Sequence, residues 1–238
     1  MNLLAVAIAL GLCSTAAQAA DRTDLHQKDL GQLRQQYAAA VAANRGIAAP
    51  MAHTRHAQLI GADADSRLLM QVKRPETARG MTHYRYTQTW RGIPVFGEGI
   101  VVSEDAAGNP RALFGNLVGG IGRDIASTTP RLAAANALGI AKQQRLGARL
   151  SAYQTRDEKS DLVIFVDDAG RAHLAYAVSF FADGEQLAPT RPMVLVDANS
   201  GAILKQWDNL QHAQIGTGPG GNQKTGQYEY GTNYGYLD

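Results

Sequence analysis

The six histidines of this 238-residue chain (His26, His53, His56, His83, His173 and His212) are the natural starting point for acid–base or metal chemistry. Imidazoles hold zinc when two or three of them converge with a carboxylate, and on a helix the spacing H-E-x-x-H achieves this. None of the six is followed by glutamate. His53 and His56 stand three apart but would need another ligand that the nearby sequence does not offer, so they read as solvated loop histidines. Gly216-x-Gly218-x-x-Gly221 has the glycine spacing of a dinucleotide loop, yet Pro219 interrupts it and no strand–turn–helix pattern surrounds it. That segment reads as flexible and open to proteases. No G-x-S-x-G elbow, Walker loop or C-x-x-C pair occurs. These residues assign no catalytic and no metal-binding position. What remains is contact chemistry: Arg85 and Gln88 are candidate partner-binding residues, although alternating polar positions on a half-exposed strand explain them as well.

Composition narrows the classes further. With 23 Lys+Arg against 21 Asp+Glu, the net charge of +2 gives no electrostatic footprint for nucleic acid. A hydrophobic fraction of 45% argues against wholesale disorder, and Cys13, the only cysteine, excludes a disulfide scaffold. Residues 3–13 are apolar and uncharged, and Ala17-Gln18-Ala19 follows as a small-x-small cleavage signal. This is the layout of a secretory signal peptide, although only Met1-Asn2 precede the apolar run and neither is basic. The run is shorter than the roughly 20 residues that span a bilayer, so no stable membrane anchor is expected. Cleavage between Ala19 and Ala20 would export the rest to the periplasm or beyond.

The elements that must build the contact surface follow in order. Leu30, Leu33, Tyr37 and Val41 form the stripe of an amphipathic helix, with Asp24 and Gln27 as a capping box and Gly46 past its end. Residues 68–72, 82–90 and 95–102 read as strands, with a turn at Arg91-Gly92-Ile93-Pro94 and another over 105–110. Thr129-Pro130 predicts the start of a second helix, with Ala134, Ala137, Leu138 and Ala141 on one face and Gly147 closing it. Two hairpins follow, 162–166 with 174–180 and 193–196 with 202–204. The expected class is α+β, with two small domains in which an antiparallel sheet packs on a helix. Their boundaries are 24–118 and 130–207, with a linker over 119–129. A glycine- and tyrosine-rich tail begins near Ala213 and does not complete a unit of its own.

Tyr84-Arg85-Tyr86-x-Gln88-x-x-x-Gly92-Ile93-Pro94-Val95-Phe96-Gly97 resembles the fungalysin/thermolysin propeptide (FTP) motif. The helix after Pro130, with Val196-Asp197-Ala198-x-x-Gly201-x-Ile203-Leu204, resembles a PepSY (cystatin-like) domain. The tail Gly218-Pro219-Gly220-Gly221-Asn222-Gln223-Lys224-x-Gly226-x-Tyr228-x-Tyr230-Gly231 is similar to the mature start of the pseudolysin/vibriolysin branch of thermolysin-like (M4) metalloproteases. The order signal peptide, FTP, PepSY, mature start implies the front of a secreted zinc endopeptidase zymogen. Its pro-region would chaperone and inhibit the protease domain in cis. Zinc, and calcium with it, would belong to that domain, which this chain lacks. The resemblance implies a processing linker over 208–212, a junction between His212 and Ala213, and a contact role for Gln211 and His212. The rival reading is a free-standing FTP–PepSY protein that acts on a separate protease in trans. The mature-like tail speaks for the first.

Overall fold

The computed structural model describes residues 20–43, 51–210, 218–222 and 226–230, so Ala19, Gln211, His212 and Ala213 lie outside the described residues. Strands predominate and helices are few. Chain contacts divide the molecule into two compact units: Met1–Arg131 with Leu162–Ala175, and Leu132–Asp161 with Tyr176–Asp238.

The first unit is built on strands β1 (Asp21–Asp24), β2 (Ser66–Glu76), β3 (Met81–Trp90), β4 (Ile93–Asp105) and β5 (Pro110–Gly119). They pair antiparallel in the order β1-β5-β4-β3-β2. The register matches Tyr84 to Val102 and Tyr86 to Ile100, so the aromatic residues of β3 share one face with the aliphatic residues of β4. That face packs under helices α1 (Leu30–Ala43) and α2 (Ala52–Ile60), where Leu30, Leu33, Tyr37, Leu59 and Ile60 meet it. The Leu30–Leu33–Tyr37 stripe thus does what its spacing predicts. Its cap differs, however. Asp29 Oδ1 accepts from Gly31 N at 2.8 Å and Gln32 N at 3.1 Å, while Asp24 accepts from His26 N at 2.9 Å and caps a short 3-10 turn, Leu25–Gln27. Asp29 serves α1 because it directly precedes that helix. Residues 119–129, expected as a linker, are anchored by the buried side chains of Ile121 and Ile125. One parallel bridge, Val95 with Ile164, departs from the purely antiparallel expectation.

The second unit contains helix α3 (Ala134–Leu146), β6 (Gln154–Val166) as far as Asp161, β7 (Ala172–Gly184) from Tyr176 onward, and strands β8 (Leu187–Thr190), β9 (Pro192–Asp197) and β10 (Ile203–Asp208). Helix α3 starts four residues after Pro130, not at it. Leu132 N donates to Ala198 O at 2.8 Å and Ala133 is extended (ψ 148), which holds the chain straight until Ala134. The buried Ala137 and Ala141 then bring the helix close to β9, whose Val194 and Val196 are also buried. Gly147 caps the helix, as its position implies. In the tail, β11 (Gly218–Asn222) and β12 (Gly226–Tyr230) pair as an antiparallel hairpin, so the glycine run expected to be flexible carries strand pairing.

Candidate functional site

Arg85 sits on the face of the first unit's sheet opposite Tyr84 and Tyr86, because neighbouring strand residues alternate sides. Register aligns it with Val72 of β2, Val101 of β4 and, through Val101, Phe114 of β5. Val72 is 49% exposed, Phe114 46% and Leu69, which pairs with Thr87 two residues beyond Arg85, 53%. The result is an apolar cross-strand row with one guanidinium at its middle. Apolar residues grouped with an arginine are the usual make-up of a contact patch. The His26 ring stacks on Phe114 at 5.2 Å and borders one end.

Gln88, the other contact candidate, is placed differently. Its side chain is buried, with Nε2 donating to Val118 O at 2.7 Å and Oε1 accepting from Val118 N at 2.9 Å. The β3–β4 register skips Gln88, passing from Thr87 to Thr89, and its amide supplies the donor and acceptor that a strand would have offered to Val118. Gln88 is therefore occupied inside the fold.

The expectation of solvated loop histidines is overturned for His56, which is 1% exposed within α2. Its Nδ1 lies 2.7 Å from Tyr86 Oη and its Nε2 2.6 Å from Glu104 Oε1, while Arg55 Nη2 donates to the same carboxylate oxygen at 2.6 Å. Tyr84 and Tyr86 approach the imidazole edge-on at 5.0 and 5.5 Å. Burial pushes the His56 imidazole below its ordinary value, partly countered by Glu104, and raises the Tyr86 phenol. An ionised Glu104 can only accept, so neutral His56 donates through Nε2 and accepts from Tyr86 through Nδ1. The cluster ties α2 to β3 and β4 beneath the exposed row. Sequence reasoning missed it because its partners are far apart along the chain. The only local signal was an apolar turn, Leu59-Ile60, ahead of Gly61.

A hydroxyl–imidazole–carboxylate chain also occurs: His83 Nδ1 meets Ser103 Oγ at 2.8 Å and its Nε2 meets Glu76 Oε2 at 3.0 Å. Ser103 is only 4% exposed, so its hydroxyl is out of reach of a substrate and the chain laces β2, β3 and β4 together. Among the described residues no three His, Cys, Asp or Glu side chains converge to hold a metal ion. No helix among them is long and apolar enough to cross a membrane. At the end of β10, Asp208 accepts from Arg191 N at 2.9 Å, from Leu210 N at 2.8 Å and from the Thr190 hydroxyl, and pairs with Arg145 at 3.5 Å. The chain is thereby fixed up to Leu210, just before Gln211.

With this geometry in place, residues 71–117 match the Fungalysin/Thermolysin Propeptide Motif. The chain carries an FTP propeptide motif. The matched stretch runs from the middle of β2 to near the end of β5 and includes Val72, Arg85, Val101 and Phe114. The FTP-bearing chain is 40% identical over 167 residues to the neutral protease of Vibrio proteolyticus, covering 69% of this chain and 27% of that protein. To the virulence metalloprotease of Vibrio anguillarum it is 36% identical over 168 residues, covering 68% and 27%. To the zinc metalloproteinase of Legionella pneumophila it is 25% identical over 245 residues, covering 99% and 42%. The chain therefore spans about a quarter to two-fifths of the length of these relatives. Its similarity to vibriolysin-type and thermolysin-like M4 metalloproteases extends over most of the chain, as for an N-terminal precursor region.

Proposed function

We propose that this chain is the pro-region of a secreted zinc metalloendopeptidase precursor, acting as intramolecular chaperone and inhibitor of its protease domain. The observation that carries this reading is the propeptide motif lying on the strands that present the Arg85 row. A foldase needs a folded surface complementary to a partner, and tethering gives that surface a high effective concentration. A large secreted protease is often stable through a high unfolding barrier, and a pro-region that binds the folding transition state lowers the barrier to folding. In this proposal residues 24–118 are the FTP domain, residues 130–207 a PepSY-like domain, and residues 1–19 a leader that directs export. Processing falls between His212 and Ala213, just past the Asp208 anchor, so that Gln211 and His212 enter the protease cleft.

The test is a refolding assay. The neutral protease of Vibrio proteolyticus is denatured, diluted into buffer with or without the purified chain, and assayed after the chain has been digested away. A recovery several-fold above the unassisted level, together with inhibition of the native protease by undigested chain, is the expected result. Equal recovery and no inhibition would overturn the proposal.

A further inference from the structure

Asp124 follows the single 3-10 turn Ile121–Arg123. Its Oδ2 accepts from two main-chain nitrogens distant in sequence, Ala20 N at 3.1 Å and Ala172 N at 2.8 Å. Ala20 is 6% exposed and Ala172 4%. The next residue, Asp21, opens β1 and pairs with Gly119, and Arg22 is held by Glu98 at 2.7 Å. The chain is therefore fixed in place from Ala20 onward. Ala20 is also the residue after Ala17-Gln18-Ala19, the small-x-small signal.

We infer that removal of the leader turns the Ala20 nitrogen into an ammonium that the Asp124 carboxylate holds as an ion pair, so that export processing stabilises the first unit. This rests on the reading of residues 1–19 as a cleaved signal peptide. Hydrolysis adds one water across the Ala19–Ala20 bond. The C–N bond breaks, Ala19 departs as a carboxylate, and the Ala20 nitrogen becomes an ammonium, because an α-amino group titrates near pH ~8. Before cleavage Asp124 receives a neutral amide N–H there; afterwards the same oxygen faces a full positive charge. The amide hydrogen bond is already charge-assisted on its acceptor side; the ammonium adds the attraction between two full opposite charges. Partial burial keeps the pair from being fully screened by salt. An uncut chain keeps only the weaker bond, so the first unit gains its full stability after the leader is removed.

The full chain is exported from a bacterial host, its first residue is read by mass spectrometry, and the folded product is treated at pH 7 with an N-hydroxysuccinimide ester. The expected start is Ala20, with its α-amine labelled about tenfold more slowly than in the urea-unfolded chain, the effect of about one unit of raised pKa. Asp124→Asn keeps an oxygen acceptor but not the charge. It restores fast labelling and lowers the melting temperature by about 3 °C. A variant leader that leaves one extra alanine before Ala20 does the same without altering Asp124. A different first residue overturns the cleavage reading and this inference with it. A start at Ala20 with equally fast labelling in folded and unfolded chains, or with Asp124→Asn unchanged in rate and melting, overturns the ion pair and leaves the pro-region reading intact.

Discussion

His56 and Glu104, 48 residues apart in sequence, meet at 2.6 Å inside the core of the first unit, where both side chains are almost fully buried. A carboxylate in such a place is tolerated because two donors, His56 and Arg55, converge on it. Removing it leaves a buried imidazole without its acceptor and a cation without its counter-charge. Glu104→Ala is expected to cost about 3 kcal/mol, read as a lowered urea midpoint. Arg55→Ala is expected to cost less, about 0.5–1 kcal/mol, because its side chain is a quarter exposed and water replaces its role. Equal losses for the two would refute this division.

The same cluster sets a pH dependence. Burial holds the folded His56 below its ordinary value of 6.5, so the unfolded chain takes up the proton first. Stability contributed by neutral His56 is therefore lost as pH falls below about 6.5. Asp105 acts in a separate window. The Asn109 amide, with Arg111 and the Ala107 amide, brings its carboxyl from 3.8 down to about 2. Its contribution is complete above the unfolded value and is lost as pH falls through the folded one. Melting temperature against pH should show two descending steps. His56→Gln is expected to flatten the upper step alone, and Asp105→Asn to shrink the lower, which Glu76, Asp167 and Asp208 share through their own lowered values.

Arg85 and Gln88 separate surface from scaffold. Arg85→Ala should leave the melting temperature within about 1–2 °C, as exposed substitutions do, while weakening protease binding about tenfold. Gln88→Ala strands both Val118 main-chain groups and is expected to cost about 1–3 kcal/mol, with binding lost only in proportion to folding. Calorimetry alongside the refolding assay checks both. An Arg85→Ala variant with unaltered binding would remove the row from the interface.

The contrast between these residues also shows what the sequence could reveal. Strands β2, β3 and β4, the 105–110 turn and the Ala137/Ala141 face were legible because each rests on local periodicity or turn chemistry. Helix α2 was not, since its polar stretch His53-Thr54-Arg55-His56 shows no apolar stripe until Leu59 and Ile60. Its histidine looked solvated because burial depends on Tyr86 and Glu104, which only the strand register brings near. Gln88 looked like one polar position among several because the register skip that turns it inward is a tertiary event. Strand β5 was overlooked for a related reason: Gly115 and Asn116 break the alternation that would have marked it.

Gly115 offers the sharpest test of the sheet itself. It has φ +94, and a Cβ there would lie 1.8 Å from Gly99 O, a backbone atom that cannot swing aside as a side chain would. Gly97 also has a positive φ, +78, but a Cβ there would meet nothing within 4 Å. Both glycines satisfy a backbone conformation that L-residues disfavour, yet only Gly115 also lets two strands approach. Gly97→Ala is therefore expected to cost about 1–2 kcal/mol, the conformational part alone. Gly115→Ala must also push β4 and β5 apart, and should cost about 4 kcal/mol or more. Because Phe114 precedes Gly115 on β5, the second substitution should abolish protease refolding even where residual structure persists. Urea unfolding of the two variants, followed by the refolding assay, decides it: similar losses would mean that β4 and β5 are not as closely apposed as Gly99 and Gly115 place them.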